Sequence, residues 1–577
     1  GEGAEAGALR DGLRERLPQH MIPAHFVFLD SLPLTVHGKV DHRALPAPVR
    51  ERPDEALVAP RNAVEELLAR VWREVLRVEA VGVHDNFFEL GGDSILSIQV
   101  VARAARAGCR IKPRQIFEYQ TIAGLAEVAD RVSESEADQG PVAGPVPLSP
   151  IQRRYLQSRP VAPHHFTQSS LLAVRPPITP EVARQAFAFL LGHHDALRLR
   201  FAEEAGSWRQ RGLGTEETKA APWSRLDLSG LAPDRGRTAL EEVAADVQAS
   251  LDLERGPIVR GVWFDLPDGE ARLFLVVHHL AVDVVSWGIL LEDLESACRS
   301  LSGGEAVELP AKTTSFRSWS EKLAGHARSM PLEPELSWWL QQGEGAAGGL
   351  PPDEPDGADT EASARWVSIA LSADETDALL HKVPKAYRTQ INDVLLTALV
   401  QALAGPGGSL RIALEGHGRE EILDGVDLSR TVGWFTTVFP VLLALDPGAP
   451  QDPGAALLAV KEQLRSIPAR GIGYGLLRYL REEEGVTGRL AGLPHPEVSF
   501  NYQGQLDQSL REDTLFRPAG EARGPHRSPG AARGHRLEVG GAVTGGQLQI
   551  LFGYSENVYH RSTMEGLAGR FASHLRA

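Results

Sequence analysis

The spacing of apolar residues near the start of the chain predicts an amphipathic helix. Apolar side chains recur every three or four positions and so share one helical face, at Val64, Leu67, Leu68, Val71, Trp72 and Val75. Further helices are predicted to begin near Ser94 and near Thr121. Together these elements predict that residues 61–132 form a small four-helix bundle.

A different pattern begins at residue 148, where short apolar runs alternate with helical periodicity to the end of the chain. The runs predict strands, and the periodicity predicts helices, at residues 169–174, 273–277, 497–502 and 547–553 and at residues 288–297 and 394–403, respectively. This alternation over about 430 residues predicts a large α/β (α+β) domain of two lobes. The Gly-, Pro- and Asp-rich residues 344–359 are the predicted crossing, which places the lobes at about 148–343 and 360–577.

The start of the chain has a different character. Residues 1–50 contain a short helical stretch at 9–17 and then a proline-punctuated segment, and so few residues cannot bury a core of their own. We interpret them as the end of a larger domain. Residues 51–60 and 133–147, rich in Pro, Gly and charged residues, are the predicted linkers on either side of the helical bundle.

Composition and charge exclude several classes of protein. The 577 residues carry a net charge of −16, which argues against nucleic-acid binding. No apolar run reaches about 18 residues, so no membrane span is predicted, and the small and charged residues 1–12 do not resemble a signal peptide. Cys109 and Cys298 lie far apart without metal-type spacing, so we expect free buried thiols, no metal site and a cytoplasmic protein.

Residues 276–287, V-V-H-H-L-A-V-D-V-V-S-W, contain the first candidate for catalysis. The apolar run before the histidines predicts a strand that delivers His278 and His279 to the end of a sheet, where a substrate can reach an imidazole. Imidazole is the side chain best suited to moving protons near neutral pH. A histidine pair also fits a purely structural role, so the pair alone leaves both interpretations open.

A second candidate site lies between the first two predicted helices, in the sequence D-N-F-F-E-L-G-G-D-S-I-L-S-I-Q of residues 85–99. The glycine pair favours a tight turn, and Ser94 follows it at a helix start. A hydroxyl there is exposed and can take a covalent group, and a phosphate on it would be stabilised by the positive helix end and its free amides. The alternative is that Ser94 simply caps the helix.

This segment resembles the peptidyl carrier proteins of nonribosomal peptide synthetases, whose pattern around the modified serine is L-G-G-[HD]-S-[IL]. The resemblance implies that Ser94 carries 4'-phosphopantetheine through a phosphodiester. Asp93 resembles the variant found in carriers that feed an epimerization domain. Upstream, L-P-Q-H-M-I-P at residues 17–23 and H-G-K-V-D-H-R-A-L-P at residues 37–46 resemble the last motifs of an adenylation domain. That family uses the lysine, here Lys39, on the adenylate; without the nucleotide-binding core we assign it no role.

The large domain carries several motifs in a fixed order. They are L-S-P-I-Q-R-R-Y (148–155), the histidine motif, E-G-H-G-R-E (415–420), R-T-V-G-W-F-T-T-V-F-P-V (430–441), P-A-R-G-I-G-Y-G (468–475) and S-F-N-Y-Q-G-Q (499–505). In this order, after a carrier, they resemble the epimerization domain of nonribosomal peptide synthetases, a relative of condensation domains. The resemblance implies a two-lobed fold like that of chloramphenicol acetyltransferase.

Inverting an amino acid at Cα requires removal of a proton from one face and its return to the other. The thioester carbonyl acidifies that C–H and takes the charge as an enolate, and two acid/base groups on opposite faces are the economical arrangement. The resemblance implies His279 as one group and Glu415, facing it across a channel, as the other. We prefer Glu415 to Glu420; condensation domains lack this glutamate. An ordinary solvated glutamate is the alternative.

The resemblance also implies supporting residues. His278 would support the motif from within, and Asp283 would form a structural ion pair with Arg198. Asn501 and Tyr502 would line the channel and donate hydrogen bonds to the enolate oxygen or the general acid; a buried Tyr that only satisfies its hydroxyl is the alternative. Ser286 and Trp287 are expected to cap and pack, and Trp434 and Phe435 to pack in the core.

Two positions depart from the family pattern. Val284 stands where relatives commonly have Gly, and Gly288 where they often have Arg. A valine at the first position is expected to narrow the channel or shift the loop. Both positions lie near His279, but neither removes a proposed acid/base group.

The leading interpretation is a carrier–epimerization didomain that converts an L-aminoacyl or L-peptidyl thioester on Ser94 into an L/D mixture, without a metal or a pyridoxal cofactor. A condensation-type acyltransferase and a degenerate docking domain are the alternatives. The resemblance implies as partners a phosphopantetheinyl transferase, the adenylation core and a downstream condensation domain.

Overall fold

The computed structural model describes residues 57–131, 137–218, 221–267, 269–345, 347–405, 407–446, 452–505 and 514–577. The helical stretch predicted at residues 9–17 and Lys39 lie outside these residues. The fold below is that of residues 60–577, which form one of the two units into which the chain divides.

Four helices build the predicted bundle: α1 (Ala63–Leu76), α2 (Ser94–Arg106), α3 (Pro113–Tyr119) and α4 (Ile122–Val128). Two short strands, β1 (Cys109–Arg110) and β2 (Asp130–Arg131), pair beside them. Asn62 accepts hydrogen bonds from the first amides of α1 and so fixes its start. The fully buried Trp72 packs edge-on to Phe87 at 5.1 Å between ring centres, which holds the loop before α2 against α1.

Alternating helices and strands make up the rest of the chain. The helices are α5 (Pro150–Gln157), α6 (Pro180–His193), α7 (Pro233–Ala249), α8 (Val284–Gly303), α9 (Phe316–Ser329), α10 (Glu335–Gln341), α11 (Ala373–Asp377), α12 (Val383–Tyr387), α13 (Ile391–Ala404), α14 (Pro453–Arg465), α15 (Ile472–Gly475), α16 (Glu484–Ala491) and α17 (Arg561–Arg576). The strands are β3 (Gly144–Val146), β4 (Thr167–Val174), β5 (Leu199–Glu204), β6 (Ser207–Gly212), β7 (Trp223–Asp227), β8 (Val259–Asp265), β9 (Ala271–His278), β10 (Ala364–Ala370), β11 (Ser409–Gly416), β12 (Thr437–Ala444), β13 (Val498–Gln505), β14 (Phe516–Pro518), β15 (Leu537–Thr544) and β16 (Gln547–Ser555).

A five-stranded sheet in the order β14-β4-β9-β8-β7 places the histidine motif. Its central strand, β9, is covered on both faces: Leu273, Leu275 and Val277 pack in one apolar cluster, whereas Phe274 and Val276 pack in another. Because side chains alternate between the faces of a strand, a strand buried on both sides needs a continuous apolar run. This explains the uninterrupted sequence that ends at the two histidines.

A six-stranded sheet in the order β10-β16-β15-β13-β11-β12 places the E-G-H-G-R-E and S-F-N-Y-Q-G-Q motifs. Strands β11 and β13 are parallel neighbours, with Leu414 beside Phe500, so Glu415 and Asn501 follow at the same end of the sheet. A separate three-stranded sheet has the order β3-β6-β5. Strand β14 lies late in the chain but pairs with β4, so the second half of the domain contributes a strand to the first half's sheet.

The four predicted strands and two predicted helices all occur, with longer bounds. The helix predicted at residues 288–297 begins at Val284, because the Asp283 side chain accepts a hydrogen bond from the Ser286 amide and caps it. Among the helices of the described residues, none combines the length and the apolar character that crossing a membrane requires.

Candidate functional site

His279 lies in a single helical turn directly after β9. Its Nδ1 is 2.9 Å from the carbonyl oxygen of Val282, and its ring packs against Phe166 and Trp434 at 4.7 Å and 4.5 Å between ring centres. Burial lowers the pKa of His279 to about 4. The imidazole is therefore neutral near neutral pH and can accept a proton.

His278 is fully buried and shapes the turn that carries His279. Its Nε2 is 2.8 Å from the carbonyl oxygen of Pro163, and its Nδ1 accepts a hydrogen bond from the Leu280 amide at 3.2 Å. An acceptor at Nδ1 leaves the proton on Nε2, which donates to Pro163. Burial lowers the pKa of His278 to about 3, so this side chain has a structural, uncharged arrangement.

Glu415 lies at the end of β11 and is held by Asn501. The Asn501 Nδ2 donates a hydrogen bond of 2.7 Å to Glu415 Oε2. Solvent reaches the Glu415 side chain, yet protein atoms surround it closely enough that burial raises its pKa above the usual range. Access together with enclosure is what a group lining a channel shows.

Arg527 connects the surroundings of the two candidate acid/base groups. Its positive charge lowers the pKa of both His279 and Glu415, after the larger effect of burial on each, so both lie within its electrostatic reach. The guanidinium lies 4.9 Å over the Phe166 ring, which itself packs on His279, and it pairs with Glu361 at 2.9 Å. One cation thus neighbours a group from each of the two larger sheets.

Ser94 is the first residue of α2, and it is not the cap. The Asp93 side chain caps the helix instead, with Oδ1 accepting from the amides of Ile95 and Leu96 at 2.9 Å and 2.8 Å. The alternative that Ser94 serves only as a cap is therefore wrong, and so is the expectation that these amides are free for a phosphate. The Ser94 hydroxyl is left at a partly exposed helix start.

A narrow cavity of about 50 Å³ joins Ser94 to the large domain. The carrier contributes the turn at residues 91–95, and the large domain contributes Tyr502, Gly504 and Gln505 of β13 together with residues near the start of α13. Gln505 donates a hydrogen bond of 2.9 Å to the carbonyl oxygen of Gly91. A cavity this narrow suits a thin linear arm attached to Ser94, so the residues present fit a phosphopantetheine.

Asp93 and Gly504 fit together at this cavity. Gly504 has φ +80°, in the left-handed region that favours glycine, and a Cβ built there would lie 2.7 Å from Asp93 Oδ2. The absence of a side chain at Gly504 therefore makes room for the carboxyl group that precedes Ser94. Burial raises the pKa of Asp93.

Charged and aromatic contacts surround this junction. Three arginines of the carrier meet three acidic side chains of the large domain, in the pairs Arg106–Glu292, Arg110–Asp427 (3.9 Å) and Arg114–Glu421, the last from the Arg114 backbone amide (3.1 Å). Glu89 lies 3.9 Å from Lys385, and Arg470 stacks 3.9 Å over Phe117. The carrier is therefore seated with Ser94 facing β13.

The predicted ion pair between Asp283 and Arg198 is wrong. Arg198 is fully enclosed by partners close to it in sequence: it pairs with Asp195 at 2.5 Å and donates to the carbonyl oxygens of Gly192 and Leu213, both at 3.0 Å. Its position three residues after Asp195 supplies a local acceptor, which the sequence motif did not reveal. Arg198 thus stabilises the turn after α6.

The partner of Asp283 is Arg419, from the E-G-H-G-R-E motif. Arg419 Nη2 donates to Asp283 Oδ1 at 3.1 Å and to Ser286 Oγ at 3.0 Å, and both ionic side chains are almost completely buried. Arg419 Nη1 donates to the carbonyl oxygens of Leu428 and Thr431. The pair ties the start of α8 to the loop between β11 and β12.

The two departures from the family pattern lie on α8 without disturbing its start. Val284 is the first residue of the helix, 46% exposed, and Asp283 still caps the helix next to it. Within the described part of the chain, a Cβ at Gly288 would meet no atom within 4 Å. Neither residue contributes a contact to the His279 ring.

Two other features lie away from these groups. A groove of about 610 Å³ runs beside α6 and includes Arg184, Phe189 and Lys312 but neither His279 nor Glu415. His193, His194 and Asp293 lie close enough together to suggest a metal site. The Asp293 carboxylate, however, already accepts from His194 and Arg430, and a cation beside Arg430 would be repelled.

Comparison with known proteins follows the same division of the chain. Residues 66–129 match the family model "Phosphopantetheine attachment site", and residues 142–577 match the model "Condensation domain". The chain therefore belongs to the nonribosomal peptide synthetase family, as a phosphopantetheine-bearing carrier followed by a domain of the condensation type. A carrier of this family takes 4'-phosphopantetheine as its covalent cofactor.

Similar proteins narrow the type of domain to epimerization. The chain is 34% identical to the epimerization domain from the third module of tyrocidine synthetase B, with a TM-score of 0.70 over 77% of this chain and 97% of that one. It is 48% identical over 99% of its length to a linear gramicidin synthase of Brevibacillus parabrevis, and 46% identical over 98% to chondramide synthase cmdD of Chondromyces crocatus. The chain spans only 7% and 14%, respectively, of those proteins.

Proposed function

We propose that this chain epimerises the Cα of an aminoacyl or peptidyl thioester carried on Ser94, with His279 and Glu415 as the two acid/base groups. The observation that carries the proposal is the placement of these two groups around one cation, Arg527, while the strand that holds Glu415 through Asn501 also lines the cavity at Ser94 through Tyr502.

The protonation states suit a two-base exchange. His279 is neutral because burial lowers its pKa, so it can take the α-proton of a bound thioester. Burial raises the pKa of Glu415, which favours its protonated form and lets it return a proton to the other face. In the reverse direction the roles exchange, with Glu415 ionised and His279 protonated. Asn501 keeps Glu415 Oε2 in place during either step.

The carrier places the substrate in this scheme. Strand side chains alternate between faces, so β13 presents Asn501 to Glu415 and the following Tyr502 to the cavity at Ser94. A phosphopantetheine on Ser94 would supply a flexible arm with a terminal thiol, and its thioester acidifies the Cα–H of the bound acyl group. Ser94, Tyr502 and Gln505 would guide that arm towards the channel.

The family supplies the partners by class. A phosphopantetheinyl transferase must modify the carrier, and other modules of a synthetase must supply and consume the thioester. We propose the specific set of an adenylation core, which loads the amino acid, and a downstream condensation domain, which selects one epimer from the mixture.

The proposal is tested by convergence from both epimers. Chains loaded on Ser94 with the L or the D form of one aminoacyl-pantetheine are incubated separately, and the acyl group is released and resolved by chirality. Both samples are expected to reach the same D/L ratio, since the two epimers are close in energy. The Ser94→Ala variant, which cannot be loaded, serves as the control. Retention of each starting configuration over several substrates, or amide formation with an offered acceptor amine instead, would contradict the proposal.

Replacing Gly504 by Ala is expected to slow epimerization of the carrier-bound substrate by about tenfold. The left-handed backbone costs an alanine roughly 1–2 kcal/mol, and its Cβ would press on Asp93, which displaces the carrier from its seat. The measurement compares substrate loaded on Ser94 with the same acyl group on a free pantetheine thioester, which needs no docked carrier.

The matched control is Gly540→Ala on the neighbouring strand β15. Among the described residues, a Cβ at Gly540 would meet no atom within 4 Å, so this variant should behave as the wild type with both substrates. An equal loss for Ser94-bound and free substrate in Gly504→Ala would show that the substitution damages the channel itself and not the seating of the carrier.

A further inference from the structure

A chain of hydrogen bonds reaches His279 from helix α8. The indole Nε1 of Trp287 donates to Gln168 Oε1 at 2.9 Å, and Gln168 Nε2 lies 3.0 Å from His279 Nε2. Gln168 is on β4, next to β9, and Trp287 is in the first turns of α8. None of the sequence motifs includes Gln168, and Trp287 was expected only to pack.

The chemistry of these groups fixes every proton in the chain. An indole N–H can only donate, so the Gln168 atom facing Trp287 must be the carbonyl oxygen. The amide nitrogen therefore faces His279, and because it can only donate, His279 Nε2 must accept. The imidazole proton is then on Nδ1, where it meets the Val282 carbonyl oxygen at 2.9 Å, which can only accept.

We propose that Trp287 and Gln168 form a relay that holds His279 in the Nδ1–H tautomer and keeps the Nε2 lone pair available as the base. This inference rests on the proposed role of His279 as proton acceptor. Both are positioning residues: Gln168 acts on His279, and Trp287 acts through Gln168. An arriving Cα–H would replace the amide donor at Nε2.

Trp287 matters because it prevents the Gln168 amide from turning over. A protonated His279 would present an N–H at Nε2, which the amide could accept only by exchanging its oxygen and nitrogen. That exchange would place the amide nitrogen against the Trp287 N–H, two donors facing each other. The indole therefore disfavours the imidazolium form and keeps His279 a proton acceptor that readily returns what it takes.

The other charged groups around His279 do not depend on this relay. Asp283, at the start of α8, raises the pKa of His279, and Arg527, before β15, lowers it. His278 on β9 is buried and neutral, and the Phe166 and Trp434 rings that contact His279 carry no charge. Substitution of Trp287 by Phe leaves all of these side chains in place and removes only the indole donor.

The test is a pH titration of the His279 ring in the full chain without a loaded substrate. Ring-labelled histidine is followed by NMR, with the signal assigned by a His279→Gln variant. In the wild type we expect the Nδ1–H tautomer. In Trp287→Phe the amide is free to turn and accept from the imidazolium, so the pKa of His279 is expected to rise by about one unit.

Coupling between the two residues distinguishes the relay from a general packing effect. In a Gln168→Leu background, Trp287→Phe is expected to leave the pKa of His279 nearly unchanged, because no amide remains to turn over. Trp263→Phe is the matched control: it also loses an indole hydrogen bond, to Asp265 at 3.0 Å, but it does not touch Gln168. It should titrate as the wild type does.

An Nε2–H tautomer in the wild type, or the same shift from Trp287→Phe with and without Gln168, would overturn the relay. The rate of α-proton exchange gives a second readout: its loss towards acid pH should move to higher pH by the same amount as the pKa. Because the titration needs no substrate, it also separates the two proposals. The expected titration in a chain that never exchanges the α-proton would leave the relay standing and overturn the epimerization.

Discussion

Replacing Glu415 by Gln is expected to slow epimerization by between about 100-fold and about 10,000-fold, the usual contribution of a positioned acid/base group. Glutamine keeps the shape of the side chain and a partner for Asn501 but can neither give nor take a proton at that position. His279 remains able to remove the α-proton from the epimer that presents it. Deuterium exchange should therefore survive from one epimer, without inversion, and be lost from the other.

Glu420→Gln provides the matched control for this variant. Glu420 lies five residues further on in the same motif, where it is 3.4 Å from His417 and 3.9 Å from Arg470. It is the other acid in the motif, and the structure gives it these local partners, whereas Asn501 binds Glu415. Rates are measured by chiral analysis of the released acyl group. Equal rates for Glu415→Gln and the wild type, or a larger loss in Glu420→Gln, would remove Glu415 from the mechanism.

Replacing Arg419 by Met is expected to lower the free energy of unfolding of the large domain by about 3–5 kcal/mol. The substitution would leave Asp283 charged and buried, because the carboxylate loses its only ionic partner among the described residues. It would also leave the carbonyl oxygens of Leu428 and Thr431 without the donor they have now. Urea denaturation of the full chain measures the loss.

A double-mutant cycle separates this pair from the one that the sequence suggested. Arg419→Met combined with Asp283→Asn should cost less than the sum of the two single changes, because the second change removes the charge that the first leaves unpaired. Arg198→Met, an equally buried arginine, should combine additively with Asp283→Asn. Coupling of Asp283 with Arg198, and none with Arg419, would contradict the pairing described here.

The sequence predicted most of what depends on local pattern. The apolar run before His278 predicted β9 because that strand is buried on both faces, and the periodicity from Val64 predicted α1. Helix α3 was not located along the chain, because it has seven residues and only Ile116 buried among them, too few for a recognisable repeat. The helix at 288–297 was placed four residues late because the capping role of Asp283 was not used.

The site was less accessible from sequence, because its geometry depends on contacts between distant segments. Arg419 reaches Asp283 across 136 positions, and Gln168 reaches His279 across 111, and neither separation leaves a periodic trace. Arg198 was assigned by analogy to Asp283, whereas a local acid, Asp195, takes it. Arg419 lies inside a recognised motif, so that motif was the one available signal for the correct partner.

The most direct test of the central claim is solvent exchange at Cα. Wild type, His279→Ala and Glu415→Gln are loaded on Ser94 with an L-aminoacyl-pantetheine in D2O, and deuterium at Cα and the D/L ratio are followed in the released acid. Wild-type chain is expected to incorporate deuterium while the D epimer accumulates, and each variant to lose inversion. No deuterium in the wild type with any of several loaded substrates would contradict a two-base epimerase on this chain.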